Sequence, residues 1–350
     1  MGWKISDKPT VDPKDTDLAL IEQDGNTRNT TWAKLKAFFL GTATLTTTDQ
    51  TIKGAINEVK ALTDANVASL SDSANKIAQL SNPNLLINGD FQVWQRGTSF
   101  NTSNSYCADR WMSVFLPSGS VAKDIKGLKI TGCGTGGLFI VQSLEDKDYN
   151  KLLGKTVCFS CDLSVENMLQ GSLFMQITDS TNVLGKISID KNLLSNTPKR
   201  FNIIVDIPAT ANNCRIFIGS VKDVGAGVIN SDCNVYVGNG KLELGDKATP
   251  FVPRLYAEEL VLCKRYYEKG QGQIVSAFGT GYLSGVNFQV EKRVSPTCTV
   301  SYITDLVSWA TASYTTLINN VNGIAEIDGS GYTTNRLYRL GVWTADAEIY

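Results

Sequence analysis

Hydrophobic and polar positions follow different periods in successive parts of the chain. In residues 1–44 the apolar runs are short. Lys4-Ile5-Ser6 and Leu18-Ala19-Leu20-Ile21 read as short strands, with Asp24-Gly25-Asn26 as the turn between them. Thr31 is placed to cap a short helix from Trp32 to Phe39, with Leu35, Phe38 and Phe39 on one face. So small a segment buries little apolar area by itself, so it is expected to dock on a partner or on copies of itself.

Residues 45–81 change to a heptad pattern. With Ile52 at d, the a/d seam runs Ile52, Ile56, Val59, Thr63, Asn66, Leu70, Ser73, Ile77, Leu80, and Gly54 is the last helix breaker before its end. A long amphipathic helix with no surrounding domain leaves its stripe uncovered, and self-association supplies the missing surface. Ile and Val at both a and d favour three strands over two. The predicted element is a trimeric coiled-coil stalk held by Ile52, Ile56, Val59, Leu70, Ile77 and Leu80. Thr63, Asn66 and Ser73 in the seam keep a solvated linker helix as the alternative.

From Asn82 to Pro253 the period falls to two. Strands are expected at Gly127–Ile130, Gly137–Val141, Thr156–Phe159, Ser172–Ile177, Arg200–Val205, Cys214–Ile218 and Asn234–Val237, punctuated by Gly, Asn, Asp or Pro. That spacing predicts a β-sandwich of jelly-roll type over 82–253. A short helix follows, with Pro253 near its start, Tyr256, Leu260, Cys263 and Tyr267 on one face, and Gly270 as its stop. Strands return across 271–350, clearest at Val286–Val290, Thr297–Tyr302 and Leu337–Trp343, so 254–350 reads as a short helix plus a β-rich distal head. The fold class expected is mainly β.

Composition narrows the chemistry. Lys+Arg number 33 and Asp+Glu 34 in 350 residues, a net charge of −1 that provides no field for nucleic acid or an anionic membrane. No apolar run reaches the roughly 18 residues that span a bilayer, so no membrane insertion is expected. The sequence contains no His, which removes Ser–His–Asp and Cys–His nucleophiles, HExxH proteases and His-ligated metals. The eight Cys are too sparse for a disulfide scaffold, and the one CxxC, Cys158 and Cys161, lacks a second pair at zinc-ribbon spacing. Neither metal nor cofactor is expected.

Gly132, Gly134 and Gly137 match GxGxxG, but the following Leu138–Gln142 is strand-like, so this is a turn and not a phosphate cradle. Asp90 and Asp109, or the cluster Glu145, Asp146 and Asp148, offer carboxylates for glycoside hydrolysis, with turns and solvated faces as the plainer reading. Aromatic and guanidinium side chains grouped together suit sugars, whose C–H faces stack on rings while their hydroxyls seek planar donors and acceptors. Trp94, Arg96, Tyr106, Arg110 and Trp111, together with Phe91, form one such group. A distal set comprises Tyr302, Trp309, Tyr314, Tyr332, Tyr338, Trp343 and Tyr350, from which Tyr332 and Trp343 join the candidate contacts. Packing is the favoured rival for both groups, because large aromatics are mostly core.

Several motifs carry a family resemblance. Asn84-Leu85-Leu86-Ile87-Asn88-Gly89-Asp90-Phe91, Trp94-Gln95-Arg96-Gly97 and Ala108-Asp109-Arg110-Trp111 resemble the opening of jelly-roll domains in bacteriophage tail-fibre and receptor-binding proteins. Lys241-Leu242-Glu243-Leu244-Gly245, Ala248-Thr249-Pro250-Phe251, Glu258-Glu259-Leu260 and Cys263-Lys264-Arg265-Tyr266-Tyr267-Glu268 are similar to the same family's exit and helix. Val294-Ser295-Pro296-Thr297 and Ala345-Asp346-Ala347-Glu348 also look like it, and the Lys4-Ile5-Ser6 and Thr51–Val59 stretches resemble attachment segments and stalks. The resemblance implies a trimeric virion protein, made in the host cytoplasm and held by residues 1–44 to tail or baseplate proteins. Its β-domains would face outward to bacterial surface polysaccharide. Such jelly rolls are similar to carbohydrate-binding modules, some with a structural calcium beside an acidic opening residue; here Gln92 stands where that acid often sits. The expected role is receptor binding without catalysis; a glycan depolymerase and a purely structural fibre connector are the alternatives.

Overall fold

The computed structural model describes residues 14, 16–23, 26–35, 48, 51–78, 81–115, 119–132, 137–221, 232–277, 282–330 and 332–349. The chain divides into two compact units, Met1–Ile77 and Ala78–Tyr350. In the first, β1 (Leu18–Gln23) pairs antiparallel with β2 (Asn26–Thr31), Gln23 opposite Asn26. The observed partner of Leu18–Gln23 is therefore Asn26–Thr31, a strand not expected from the sequence, and the turn residues Asp24 and Gly25 lie outside the described residues. Thr31 Oγ1 accepts from the Lys34 amide at 3.3 Å, capping a helical turn at residues 32–35. The expected strand at Lys4–Ser6 and the helix continuation to Phe38 and Phe39 lie outside the described residues.

Helix α1 (Ile52–Ala78) has 27 residues and is about 40 Å long at 1.5 Å per residue. Thr51 caps it, its Oγ1 accepting from the Gly54 amide at 3.0 Å. Ile56, Val59, Leu62, Val67 and Leu70 are each more than half exposed, so the single chain leaves the helix's apolar side chains in water. Ile52 and Ile77 lie on the same helix, and Leu80 falls outside the described residues.

In the second unit, alternating apolar residues build two facing antiparallel sheets. One is ordered β11 (Val183–Asp190), β10 (Ser172–Thr178), β13 (Arg215–Val221), β8 (Gly137–Ser143), β5 (Met112–Phe115) and β4 (Ser105–Tyr106). The other is ordered β12 (Lys199–Asp206), β9 (Thr156–Glu166), β14 (Asn234–Leu244), β7 (Gly127–Thr131), β6 (Ser120–Asp124) and β3 (Ser99–Phe100). From β8 onward the chain crosses repeatedly between the sheets, the jelly-roll winding the strand spacing predicted. On β9 the residues Val157, Phe159, Cys161, Leu163 and Val165 enter the core, where they meet Leu138, Ile140, Met175, Ile216, Ile218 and Val237.

A second core, centred on Ile303, Ile327, Tyr338, Leu340 and Trp343, belongs to the C-terminal strands. These form a small sheet of β15 (Tyr267–Gln271), β23 (Val342–Asp346) and β18 (Thr297–Val300). A larger one is ordered β16 (Ile274–Ser276), β22 (Leu337–Leu340), β19 (Ile303–Asp305), β20 (Thr311–Asn320), β21 (Gly323–Ser330) and β17 (Tyr282–Asn287). The four-residue α2 (Asp146–Tyr149) follows β8, and α3 (Tyr256–Lys264) joins the two cores.

Helix α3 corrects the predicted helix. It stops at Lys264, and Tyr267 and Gly270 belong to β15. Gly270 is required by packing: a Cβ there would stand 2.6 Å from the Trp343 indole. Cys263 turns inward as expected, but it shares the buried face with Glu259, while Tyr256 is 54% exposed. Among the described residues, no helix is long and apolar enough to cross a membrane.

Candidate functional site

Most of the predicted contact residues lie in a buried polar junction between the two cores. Asn88, left-handed at φ 57° and without accessible surface, donates through Nδ2 to the Val93 and Asp109 carbonyls, both at 2.9 Å. Its carbonyl accepts from Trp111 Nε1 at 2.9 Å, and its amide donates to Glu259 Oε1 at 2.6 Å. Glu259 is inside because Arg254 Nη1 pairs with it at 3.1 Å while also donating to the Leu86 carbonyl at 3.0 Å. A carboxylate between a guanidinium and a backbone donor tolerates burial that a lone charge would not.

The arginines behave likewise. Arg96 lies 3.6 Å from the Tyr267 ring centroid and pairs with Asp109, Asp346 and Glu348 at 3.7, 3.3 and 3.4 Å. Arg110 sits 3.6 Å over Tyr266, pairs with Glu348 and donates to the Ser143 carbonyl at 2.6 Å. Burial works most strongly against the Arg110 charge, but Glu348, Tyr266 and Tyr106 together outweigh it and hold the guanidinium above its ordinary pKa. Burial pushes the Asp109 carboxyl up despite Arg96 beside it.

This placement corrects the sequence reading. Tyr106, Arg110, Trp111, Tyr332 and Trp343 are buried, and the Arg96 side chain is only 11% exposed. A ring without an accessible face cannot stack on a sugar, and these guanidinium groups are already paired with the chain's own carboxylates. Trp111 packs on Phe91 at 4.9 Å, Trp343 on Phe288 at 5.8 Å, and Tyr332 edge-on to Tyr338 at 5.3 Å. Tyr106 donates to the Ile349 carbonyl at 2.5 Å. Half-buried Trp94 stacks on Phe100 at 6.2 Å and donates to the Phe91 carbonyl at 2.6 Å. Among the predicted acids, Glu145 is bound by Arg265 Nη2 at 2.7 Å and the Tyr266 hydroxyl at 2.8 Å, and Asp148 by Lys151 at 3.0 Å.

Asp90 has a different setting. It borders a cleft of about 490 Å³ on the outer face of the β12–β9–β14–β7 sheet. Because the core takes the odd residues of β9, Ser160, Asp162, Ser164 and Glu166 face away from it. Across the sheet, Arg200 and Gly238 stand opposite Asp162, and Tyr236 opposite Ser164. The β9–β14 register shifts between Gly238 and Lys241, a bulge at which Asn239 is left-handed at φ 51°. The bulge turns Asn239 Nδ2 onto Asp162 Oδ2 at 2.6 Å. Arg200 Nη1 donates to Asp162 Oδ1 at 3.0 Å and to the Asn239 carbonyl at 2.9 Å, and its Nη2 donates to Ser160 Oγ at 2.8 Å. At one end Glu166 accepts from the Tyr236 hydroxyl at 2.6 Å and from Lys126 Nζ at 3.2 Å, and Lys126 lies 4.3 Å from the Tyr236 ring centroid. The Tyr236 hydroxyl is thereby pushed up to about 12, by burial first and then by Glu166.

Three buried polar atoms of the cleft residues and their neighbour lack a hydrogen-bond partner within the chain: Asp90 Oδ1, Ser164 Oγ and Arg200 Nε. Burial raises the Asp90 carboxyl above its usual pKa against opposing hydrogen bonds from Gln92. An unsatisfied buried polar group costs about 1–3 kcal/mol, and two of these three belong to residues that line the cleft. Only Asp90 of this set was a candidate from sequence. The available signals for the rest were the period-2 row Ser160-x-Asp162-x-Ser164-x-Glu166 and Gly238-Asn239-Gly240, a bulge signature inside a strand.

No protein-family model matches the chain, and no curated protein matches it. Solved structures with a similar strand arrangement include a CBM4 carbohydrate-binding module, at 11% identity and TM-score 0.32 over 45% of this chain and 98% of that one. A cyclase from Fischerella sp. TAU aligns at 11% identity and TM-score 0.34 over 48% of this chain and 100% of its own. The enzymatically active domain of bacteriophage CBA120 tailspike protein 4 aligns at 12% identity and TM-score 0.28, over 46% of this chain and 21% of that one.

Proposed function

We propose that this protein is a trimeric tail-fibre or receptor-binding protein of a bacteriophage virion that attaches to host-surface polysaccharide through the sandwich cleft. The observation that carries the reading is the polar cleft lined by Asp90, Asp162, Ser164, Tyr236 and Asn239, where Asp90 Oδ1 and Ser164 Oγ, with Arg200 Nε behind Asp162, have no hydrogen-bond partner in the chain. A sugar offers paired hydroxyls that donate to Asp90, accept from Arg200 and do either with Ser164. Asp162, Asn239 and Arg200 already hold one another, so little ordering cost falls on the protein side of binding. The cleft then recognises hydroxyl geometry, not a stacked ring, and each site can be weak.

Three chains joined along α1 make up for weak sites through effective concentration. The motif resemblance and the exposed Ile56, Val59 and Leu70 support that assembly, with residues 1–44 docking on tail or baseplate proteins. No catalytic step is proposed, and polysaccharide incubated with the protein is expected to release no reducing ends.

The test is Ser164→Ala in the full chain, applied to a printed array of bacterial polysaccharides. The Ser164 hydroxyl has no partner in the chain, so its removal leaves stability unchanged or raised while weakening binding about tenfold. Unchanged array binding, or no binding by the parent chain to any polysaccharide, overturns the reading.

A further inference from the structure

Three bulky side chains of the described residues sit on left-handed backbone: Phe91 at φ 58°, Arg110 at φ 72° and Trp309 at φ 59°. The first two are 1% exposed and packed in the junction, so their strain is offset where they sit. Trp309 is 71% exposed. It ends the loop between β19 and β20, at a position where a hairpin ordinarily places Gly or Asn. Both its exposure and its backbone disfavour Trp for the fold alone, and uncompensated strain of this kind collects at functional sites.

The loop is held firmly. Asp305 accepts from the Val307 amide at 2.8 Å and from Arg336 Nη1 at 2.7 Å, and its carbonyl accepts from the Trp309 amide at 2.9 Å. The Leu306 amide donates to the Leu337 carbonyl at 3.1 Å. Beside the loop, the outward residues Arg339, Thr304 and Thr311 stand opposite one another across β22, β19 and β20. Their inward neighbours Tyr338, Ile303 and Ala312 pack in the second core.

We propose that Trp309 is a second glycan contact, a fixed indole platform on which a pyranose ring stacks, with Thr304 and Thr311 on the adjoining strands supplying polar contacts to its substituents. An indole offers its face to sugar C–H groups, and threonine hydroxyls on the adjoining strands suit ring oxygens and hydroxyls. The choice of ligand class rests on the reading of the protein as a glycan-binding adhesin; the platform itself rests on Trp309.

The test compares the full chain with Trp309→Gly and Trp309→Phe, on the same polysaccharide array and on bacterial cells before and after periodate. Trp309→Gly relieves the backbone strain, so its melting temperature equals or exceeds the parent's while binding falls about thirtyfold, as for an aromatic hot spot. Trp309→Phe keeps a ring and most of the binding. Unchanged binding by Trp309→Gly overturns the platform even if Ser164→Ala abolishes binding, which separates the two sites. A lowered melting temperature makes Trp309 structural and also overturns it. Cell binding that depends on Trp309 but survives periodate points to a protein partner and overturns the glycan assignment. A parent chain that binds no polysaccharide removes the adhesin reading and this one together.

Discussion

Gly240 donates its amide hydrogen to the Gly89 carbonyl at 2.7 Å, and a methyl group on Gly89 would run into the Gly240 carbonyl. This contact joins the opening motif to the β14 bulge and sets Asp90, the next residue, at the cleft. Two halves of the resemblance, about 150 residues apart in sequence, meet at a point where only glycine fits.

Gly89→Ala is therefore expected to destabilise the second unit by about 1–3 kcal/mol, the cost of overpacking a closed site. Chemical denaturation measures the loss. Asp90 shifts with the loop, so binding in the cleft weakens as well.

Arg110→Ala leaves Glu348 facing one guanidinium instead of two in a buried site, and about 3–5 kcal/mol of stability is expected to go with it. Arg110→Met combined with Glu348→Leu removes both charges and is expected to recover most of that loss in urea denaturation. A double variant as weak as the single one would contradict the ion-pair account.

Acid should loosen the Trp309 loop late. The Val307 amide, with Arg336 behind it and burial opposing, lowers the Asp305 carboxyl to about 2, against roughly 3.9 in an unfolded chain. The unfolded state takes up the proton first. The contribution of Asp305 is thus complete above the unfolded value and disappears as pH falls through about 2. The melting-temperature gap between the parent chain and Asp305→Asn should hold at pH 5 and close toward pH 2.

The stalk has its own test. Ile56→Asp with Leu70→Asp places charge on the exposed side of α1, and light scattering should show a trimer for the parent and a monomer for the variant. Removing residues 1–81 should have the same effect.

Local period carried much of the fold. The core-facing rows of β9 and β10 are apolar at every second residue, as are the first halves of β8 and β14, so sandwich strands were legible there. Edge strand β11 was not: seven of its eight residues are exposed or half-buried, polar and apolar in no clean order, and Val183 is 57% exposed. Gly270 looked like a helix stop because its reason, Trp343, lies 73 residues further along the chain. Arg110 looked free for a ligand because its partner Glu348 is 238 residues away. The cleft was hidden for the same reason, since strand pairing and a bulge bring Asp162, Arg200 and Asn239 together from segments 38 and 77 residues apart.

The most direct test of the cleft is a crystal of the protein soaked with an oligosaccharide cut from whichever polysaccharide binds on the array. The account predicts sugar hydroxyls within about 3 Å of Asp90 Oδ1, Ser164 Oγ and Arg200 Nε. An ordered sugar held elsewhere, with none at these three atoms, would contradict it.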